Sequence, residues 1–447
     1  MITKLYIENF RAFKKESIEL SKINLFFGPN NSGKSALLSA INLVSQTVQS
    51  ADIDAEILLS GKFEDFGSYY DMVHGNETSE KISIGLEADL IVPVRYLVPS
   101  RRGGSLLKIK GERQKGYVEI TLGYRKYRHE VQLIATEFRM PEDGLILRTK
   151  RNRLGRHVVD TMEGLDDFGE DRLNQILSVR NLLPMLYPLR IIRPSEESYS
   201  KLRKMQEFMR QFRDQLNNIE FLGPFRTNPQ RFYILTGESP RNVGRHGERA
   251  LEVLMQDEKR RGKEKKNLLQ MVSQWMKETE IARKVDTAAI TDRYFELVVQ
   301  NYHTGEEENL VDVGFGCSQI IPVLIAGFNV GKDGIFIVEE PEIHLHPKAQ
   351  AGLGSLFCEM YKRGIQLFIE THSEHMLLRI QSHIARGAIK AEDVNVFYID
   401  PAGKRKKKMI HKIPIGEDGY FVEDWPKGFF PERLKEAERL AGLSAMK

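Results

Sequence analysis

The sequence predicts an α/β protein, and three stretches carry that prediction. Ile23-Asn24-Leu25-Phe26-Phe27 is an apolar run of strand length, and Ala36-Leu37-Leu38, Ile41 and Leu43-Val44 follow at helical spacing. Between them stands Gly28-Pro29-Asn30-Asn31-Ser32-Gly33-Lys34-Ser35, a Gly-x-x-x-x-Gly-Lys-Ser loop in the strand–loop–helix setting that a phosphate cradle needs. Near the other end, Ile335-Phe336-Ile337-Val338 and Gln366-Leu367-Phe368-Ile369-Glu370 read as parallel strands buried on both faces. They run into Glu339-Glu340-Pro341-Glu342 and Thr371-His372-Ser373, at the strand ends where an open α/β sheet places its ligand site.

The remaining elements follow in chain order. Residues 2–10 and 16–20 alternate apolar and polar around Phe10-Arg11-Ala12-Phe13, as a hairpin does. Asp65 to Asn76 is rich in turn formers and aromatic side chains. From about 81 to 150 the period is two: Ile82, Ile84, Leu86, Ala88 and Leu90, then Val118, Ile120 and Leu122, then Val131, Leu133 and Ala135. With Gly103-Gly104 and Lys115-Gly116 as turns, this segment predicts antiparallel strands with one wet face. Leu173, Ile176, Leu177, Val179 and Leu182-Leu183 suggest one helix. Leu202, Met205, Met209, Phe212, Leu216 and Ile219 suggest another, with a single apolar stripe that suits either a core-facing helix or an arm. Phe221 to Arg226 reads as a strand end and turn. Arg231, Arg241 and Val243 to Glu248 form a Gly-, Pro- and Arg-rich stretch of the kind that borders phosphate. Helices are expected at 247–256 and 267–283, around the charged separator Lys259–Lys266.

The chemistry can be read residue by residue. Glycines let backbone N–H groups close round phosphate oxygens, and the N-terminus of the following helix adds its dipole and unpaired donors. Lys34 would reach the β- and γ-phosphates of a nucleotide, and Ser35 would ligate Mg²⁺. Leu310 to Pro322 holds Gly314 and Gly316, then Ser318-Gln319, at the start of a long apolar helix. That pattern fits either a second phosphate-facing helix start or tight packing. His344 and His346 lack the paired partners a zinc site needs. Bulk composition excludes other classes. A chain of 447 residues supports two or three domains, no apolar run reaches membrane length, Cys317 and Cys358 make no disulfide framework, and a net charge of +4 imposes no particular partner. The expectation is a cytoplasmic protein with no membrane contact.

Leu5 to Phe13 followed by the Gly28–Ser35 loop resembles the opening of the ABC-type ATPases of the RecF, OLD and SMC group, and three later stretches continue the resemblance. Gly314 to Gln319 looks like a divergent signature motif. Glu339-Glu340 looks like the end of a Walker B strand, with Glu339 where the family usually has Asp. His372 matches the switch histidine. The resemblance implies an ABC-type P-loop ATPase head: a mixed core sheet, an adjacent antiparallel sheet and a helical insertion. It implies ATP and Mg²⁺ as ligands: Gly28 to Ser35 on the phosphates, Ser35 and Glu339 on the metal, Glu340 orienting water and His372 at the γ-phosphate. It also implies that Gly314, Gly316, Ser318 and Gln319 face the nucleotide of a second copy, giving a homodimer or higher oligomer. The Gln-bearing loop of the family has no counterpart that the sequence singles out, since Gln46 and Gln49 stand too close to the loop helix.

The expected division is an N-terminal lobe over 1–150, a helical insertion or arm over 151–300, a C-terminal lobe over 301–400 and a tail over 401–447. The tail, from Ile415 to Tyr420 and from Trp425 to Pro431, is similar to that of bacterial predicted ATPases found in phage-defence and mobile islands. OLD-type relatives carry a Toprim nuclease whose metal carboxylates sit on strands. Here the adjacent acidic pairs (Asp166-Asp167, Glu170-Asp171, Glu417-Asp418 and Glu423-Asp424) lie in polar segments. The expectation is therefore a sensor or scaffold with a separate effector, nuclease or toxin. A RecF-like DNA-repair ATPase and an ATP-dependent clamp with little turnover are the rival readings. Arg151, Arg153, Arg156, Lys259–Lys266 and Lys404–Lys408 fit either solvated loops or weak, sequence-independent contacts to nucleic acid.

Overall fold

The computed structural model describes residues 1–52, 55–99, 105–165, 169–186, 195–400 and 410–423. The Gly103-Gly104 turn, Asp166-Asp167, Lys404–Lys408, Asp424 and the Trp425–Pro431 tail lie outside the described residues. In chain order the elements begin β1 (Ile2–Phe10), β2 (Phe13–Glu19), β3 (Ile23–Phe27), α1 (Lys34–Val48), α2 (Tyr69–Met72), β4 (Ile82–Pro99), β5 (Ser105–Arg125), β6 (Glu130–Met140), β7 (Leu145–Arg151) and β8 (His157–Glu163). They continue with α3 (Glu170–Ile176), β9 (Leu177–Arg180), β10 (Leu183–Leu186), α4 (Glu196–Asn217), β11 (Ile219–Leu222), β12 (Tyr233–Ile234), α5 (Ala250–Lys259), α6 (Leu268–Glu278), β13 (Ala282–Ala289), β14 (Tyr294–Asn301) and β15 (Glu307–Asn309). The last are α7 (Phe315–Asn329), β16 (Ile335–Glu339), α8 (Pro347–Lys362), β17 (Gln366–Glu370), α9 (Glu374–Ala385), β18 (Val394–Ile399) and β19 (Ile410–Ile413).

Contacts divide the chain into two compact units, at Leu20/Ser21, Ser35/Ala36 and Ile219/Glu220 rather than at residues 150 and 300. The reason is covalent order against packing. The phosphate-loop strand β3 comes early in the chain but pairs with strands from its far end.

The first unit, residues 1–20 and 36–219, is built on a seven-stranded antiparallel sheet of order β2-β1-β4-β5-β6-β7-β8. The alternation at 82–90 buries Ile82, Ile84, Leu86, Ala88 and Leu90 on one face. Helix α4 lays its stripe of Leu202, Met205, Phe208, Met209, Phe212 and Leu216 into this unit's interior, with Phe208 and Phe138 ring centroids 5.6 Å apart. A Cβ at Gly116 would meet the Phe208 ring at 2.5 Å, so a side chain there would push α4 off the sheet. The helix is core-facing, and its cations are engaged. Lys204 pairs with Asp143 at 2.7 Å, Lys201 with Glu197 at 2.8 Å, and Arg213 donates to the Arg180 carbonyl. The single helix expected at 173–183 is corrected. Helix α3 stops at Ile176, and β9 and β10 form a hairpin turning at Asn181-Leu182, both with positive φ (47° and 71°). A two-residue turn needs that left-handed pair. The Asn181 amide fixes it by donating to the carbonyls of Thr47 and Asp52.

The second unit, residues 21–35 and 220 onward, holds a six-stranded sheet of order β11-β16-β17-β3-β18-β19. Strands β16, β17, β3 and β18 run parallel and β19 is antiparallel, so the sheet is mixed. A smaller antiparallel sheet joins β12, β14 and β13, with β15 on β14. The segment expected to be a helical insertion thus also contributes strands, from β8 to β14. Helix α7, apolar on every side from Ile320 to Phe328, is buried in a core shared with α5, α6, α8 and α9. The register aligns Glu339 with Glu370 and Glu370 with Phe26, which brings three strand ends to one edge.

Candidate functional site

The loop after β3 has the conformation its sequence permits. Gly28 has φ of 149°, and a Cβ there would lie 2.4 Å from the Ile399 carbonyl oxygen and 2.8 Å from Ser32 Oγ. No side chain fits. Asn31 and Gly33 also have positive φ, 62° and 103°, which curls the backbone before α1 begins at Lys34. Pro29 and Asn30 are exposed. The first amides of α1 have no carbonyl one turn back to bond to. Lys34 is 4% exposed, and its ammonium donates to the carbonyls of Gly28 (3.0 Å) and Pro29 (3.1 Å). The Ser32 hydroxyl is buried and has no protein partner. A curled loop with open amides, an inward ammonium and an orphan hydroxyl fits a bound phosphate chain.

The strand ends supply the acidic side of the site. Glu339 closes β16 and is buried. Glu340 has φ of 45°, an uncommon conformation for a residue with a side chain, and such residues gather at functional sites. Two neighbours, Glu370 and Arg226, hold it there. Its N–H donates to the Glu370 carbonyl at 2.8 Å, and the Arg226 guanidinium donates to the Glu340 carbonyl at 3.0 Å and the Glu339 carbonyl at 2.8 Å. Burial pulls the Arg226 pKa down to about 10, which leaves it charged at neutral pH among Glu339, Glu340 and Glu342. Glu342 is buried with one oxygen accepting the His372 N–H at 2.6 Å and the other orphaned. Burial raises its pKa. Glu370 accepts from the Ser35 hydroxyl at 2.8 Å and lies 3.5 Å from the Lys34 ammonium. Burial raises its pKa, against the opposing pull of Ser35 and Lys34.

At α7, Gly314 is the exposed N-cap and Gly316 lies two residues in, where a Cβ would meet the His344 carbonyl at 2.7 Å. Ser318 and Gln319 are buried one turn deeper, and the Ser318 hydroxyl donates to the Phe315 carbonyl. The open helix start therefore consists of the two glycines and the exposed Phe315. The Phe315 ring meets His344 edge-on, and His346 caps α8.

Sequence reasoning missed Arg226, Glu342 and Glu370 as site residues. Only the Arg-rich character of the stretch after β11 hinted at the first. The structure also gives roles to the two glutamines near α1. Gln46 bonds the Leu58 carbonyl and the Glu64 amide, and Gln49 bonds the Leu216 carbonyl. Two basic residues named for nucleic acid are committed elsewhere: Arg151 pairs with Glu56, and the Lys266 ammonium bonds the Asn329 side chain at 2.9 Å.

Desolvation, and then the Lys34 charge, lower the His372 pKa below its usual 6.5, although part of the residue is solvent-exposed. Below 6.5 the unfolded chain binds a proton that the folded chain resists. Stability from this residue is therefore present at neutral pH and lost as pH falls from 6.5 through the lowered folded value. His372→Gln is expected to flatten that part of the slope, read as denaturation midpoints against pH; an unchanged slope would contradict the shift.

The family model described as "AAA domain, putative AbiEii toxin, Type IV TA system" matches residues 23–377. A second, described as "Protein of unknown function (DUF3696)", matches residues 389–440. No curated protein matches by sequence. Similar solved structures include the SMC head domain from Thermotoga maritima, at 10% identity and a TM-score of 0.35, covering 93% of this chain and 99% of that one. Another is the SmcHead bound to the C-winged helix domain of ScpA, at 12% identity and 0.42, covering 93% and 98%. A third is the Smc head domain with an extended coiled coil, bound to the C-terminal domain of ScpA, derived from Pyrococcus furiosus, at 12% and 0.39, covering 98% and 99%. Among the described residues no helix is long and apolar enough to cross a membrane. Matched over most of its length, from β3 to α9, the chain belongs to the AAA-domain family of the putative AbiEii toxin and type IV toxin–antitoxin description.

Proposed function

We propose that this chain binds Mg²⁺-ATP on Gly28 to Ser35 and hydrolyses it at sites completed by the Gly314–Gln319 segment of a second copy. The observation that carries the reading is the meeting, at one edge of the parallel strands, of Lys34, Ser35 and the strand-end acids, with Glu340 held at φ of 45°. Lys34 turns from the Gly28 and Pro29 carbonyls to the phosphates. Glu340 orients the attacking water and takes its proton. Neutral His372 hydrogen-bonds the γ-phosphate. Ser35, with Glu339 supporting the shell, would hold Mg²⁺, which would supply charge stabilisation on the phosphate oxygens. Gly314 and Gly316 bring the open amides of α7 to the nucleotide of the other copy.

The wider role we propose is the sensor or scaffold subunit of a bacterial anti-phage system whose effector, a nuclease or toxin, is a separate polypeptide. The toxin–antitoxin description of the family favours this over a RecF-like repair role. A clamp with little turnover fits less well, because a restrained water-orienting carboxylate has no use in it. The test is phosphate release from Mg²⁺-ATP by the purified chain, with and without duplex DNA at several salt concentrations. Turnover in the absence of DNA is expected. Any DNA binding through the exposed Arg153, Arg156 and Lys259 should weaken by about 0.9 log units per neutralised phosphate for each tenfold rise in salt. Turnover that appears only with DNA would favour the repair reading, and no turnover would favour the clamp.

A further inference from the structure

Glu370 closes β17, the strand that stands between β3 and β16 in the sheet. Its register partners are Phe26 of the loop strand on one side and Glu339 on the other. Neighbouring strands lie about 4.8 Å apart, so Glu370 is one strand from the phosphate loop and Glu339 is two. Glu370 is 4% exposed, with Oε2 accepting from Ser35 Oγ at 2.8 Å and Oε1 lying 3.5 Å from Lys34 Nζ. Its partners are the two loop side chains that serve metal and phosphate.

A buried carboxylate is tolerated only while charge and hydrogen bonds match it. Here the match comes from groups that must turn to the nucleotide. Once Lys34 and Ser35 have turned, Glu370 faces the phosphates with its charge uncompensated unless a divalent cation lies between them. We propose that Glu370 is the carboxylate that holds the nucleotide's Mg²⁺ alongside Ser35, ahead of Glu339, and thereby couples nucleotide binding to the metal. The inference rests on the nucleotide-binding reading above. Without the cation Glu370 repels the phosphates; with it, the same charge attracts.

The test is calorimetric affinity for a non-hydrolysable ATP analogue, in Mg²⁺ and in EDTA, for wild type, Glu370→Gln, Glu370→Asp and Glu339→Gln. Paramagnetic resonance of Mn²⁺ bound with the analogue gives a second readout. Glu370→Gln is expected to lose about 10- to 100-fold of the Mg²⁺-driven gain, the scale of lost metal-shell groups, while its affinity in EDTA is unchanged or higher. Glu370→Asp keeps the charge and should recover part of the gain. Should the Gln variant fail to fold, Glu370→Asp still decides: a gain intermediate between wild type and none supports the assignment, and a full wild-type gain overturns it. A wild-type gain in Glu370→Gln alongside its loss in Glu339→Gln would assign the metal to Glu339 and overturn the inference alone. Wild-type protein that binds no analogue in either condition would overturn the reading beneath it.

Discussion

Lys34→Ala is expected to abolish ATP binding, whereas Glu340→Gln is expected to retain it and to slow turnover by about 10²–10⁴-fold, the scale of a lost positioned base. The two variants should separate because, in the proposed mechanism, the residues act at different stages. The Lys34 ammonium is buried and held by two loop carbonyls, so its removal takes away a cation poised inside the cradle. The Glu340 side chain follows a peptide fixed through the Glu370 carbonyl and Arg226, contacts that a Gln at 340 leaves untouched. Equilibrium binding of a fluorescent ATP analogue, together with steady-state phosphate release, checks both. Wild-type affinity in Lys34→Ala would remove the loop from the account.

The second large effect concerns assembly. With ATP, Glu340→Gln is expected to accumulate as a dimer or larger even-numbered oligomer, because in the proposed mechanism the bound nucleotide would join two copies and would not be consumed. Gly314→Asp should abolish this. Gly314 has φ of −57° with nothing within 4 Å of a Cβ, and Asp is a favoured N-cap, so the helix itself is preserved. Its carboxylate would oppose the phosphates facing it. Changing Gly316 is less informative, since any side chain there meets the His344 carbonyl. Sedimentation velocity distinguishes the outcomes, and a monomer under every nucleotide condition would refute a composite site.

What the sequence revealed depended on how local the determinants are. The β3–loop–α1 unit is contiguous, so spacing alone placed Lys34 and Ser35. The strand ends at Glu339 and His372 were legible because an apolar run leads to each, Ile335–Val338 to the first and Leu367–Ile369 to the second. Glu370 was not, because its position beside the loop arises from strand order: β17 carries it to Ser35 across 335 residues of chain. Arg226 meets the Glu339 and Glu340 carbonyls from β11 in the same non-local way. The β9–β10 hairpin was misread because Leu177, Val179 and Leu182-Leu183 imitate helical spacing, and only the left-handed backbone at Asn181-Leu182 separates the two. The stripe on α4 is the same whether it faces a core or a partner. The structure places it in the core.

The central claim is that each working site takes its phosphate loop from one copy and its α7 start from another. Mixing two inactive variants tests it most directly. Lys34→Ala keeps an intact α7 start, and Gly314→Asp keeps an intact loop, so their mixed assembly contains one complete site. Phosphate release by the mixture is predicted to exceed the sum of the separate variants several-fold. A rate equal to that sum, with both variants folded and at equal concentration, would contradict the account.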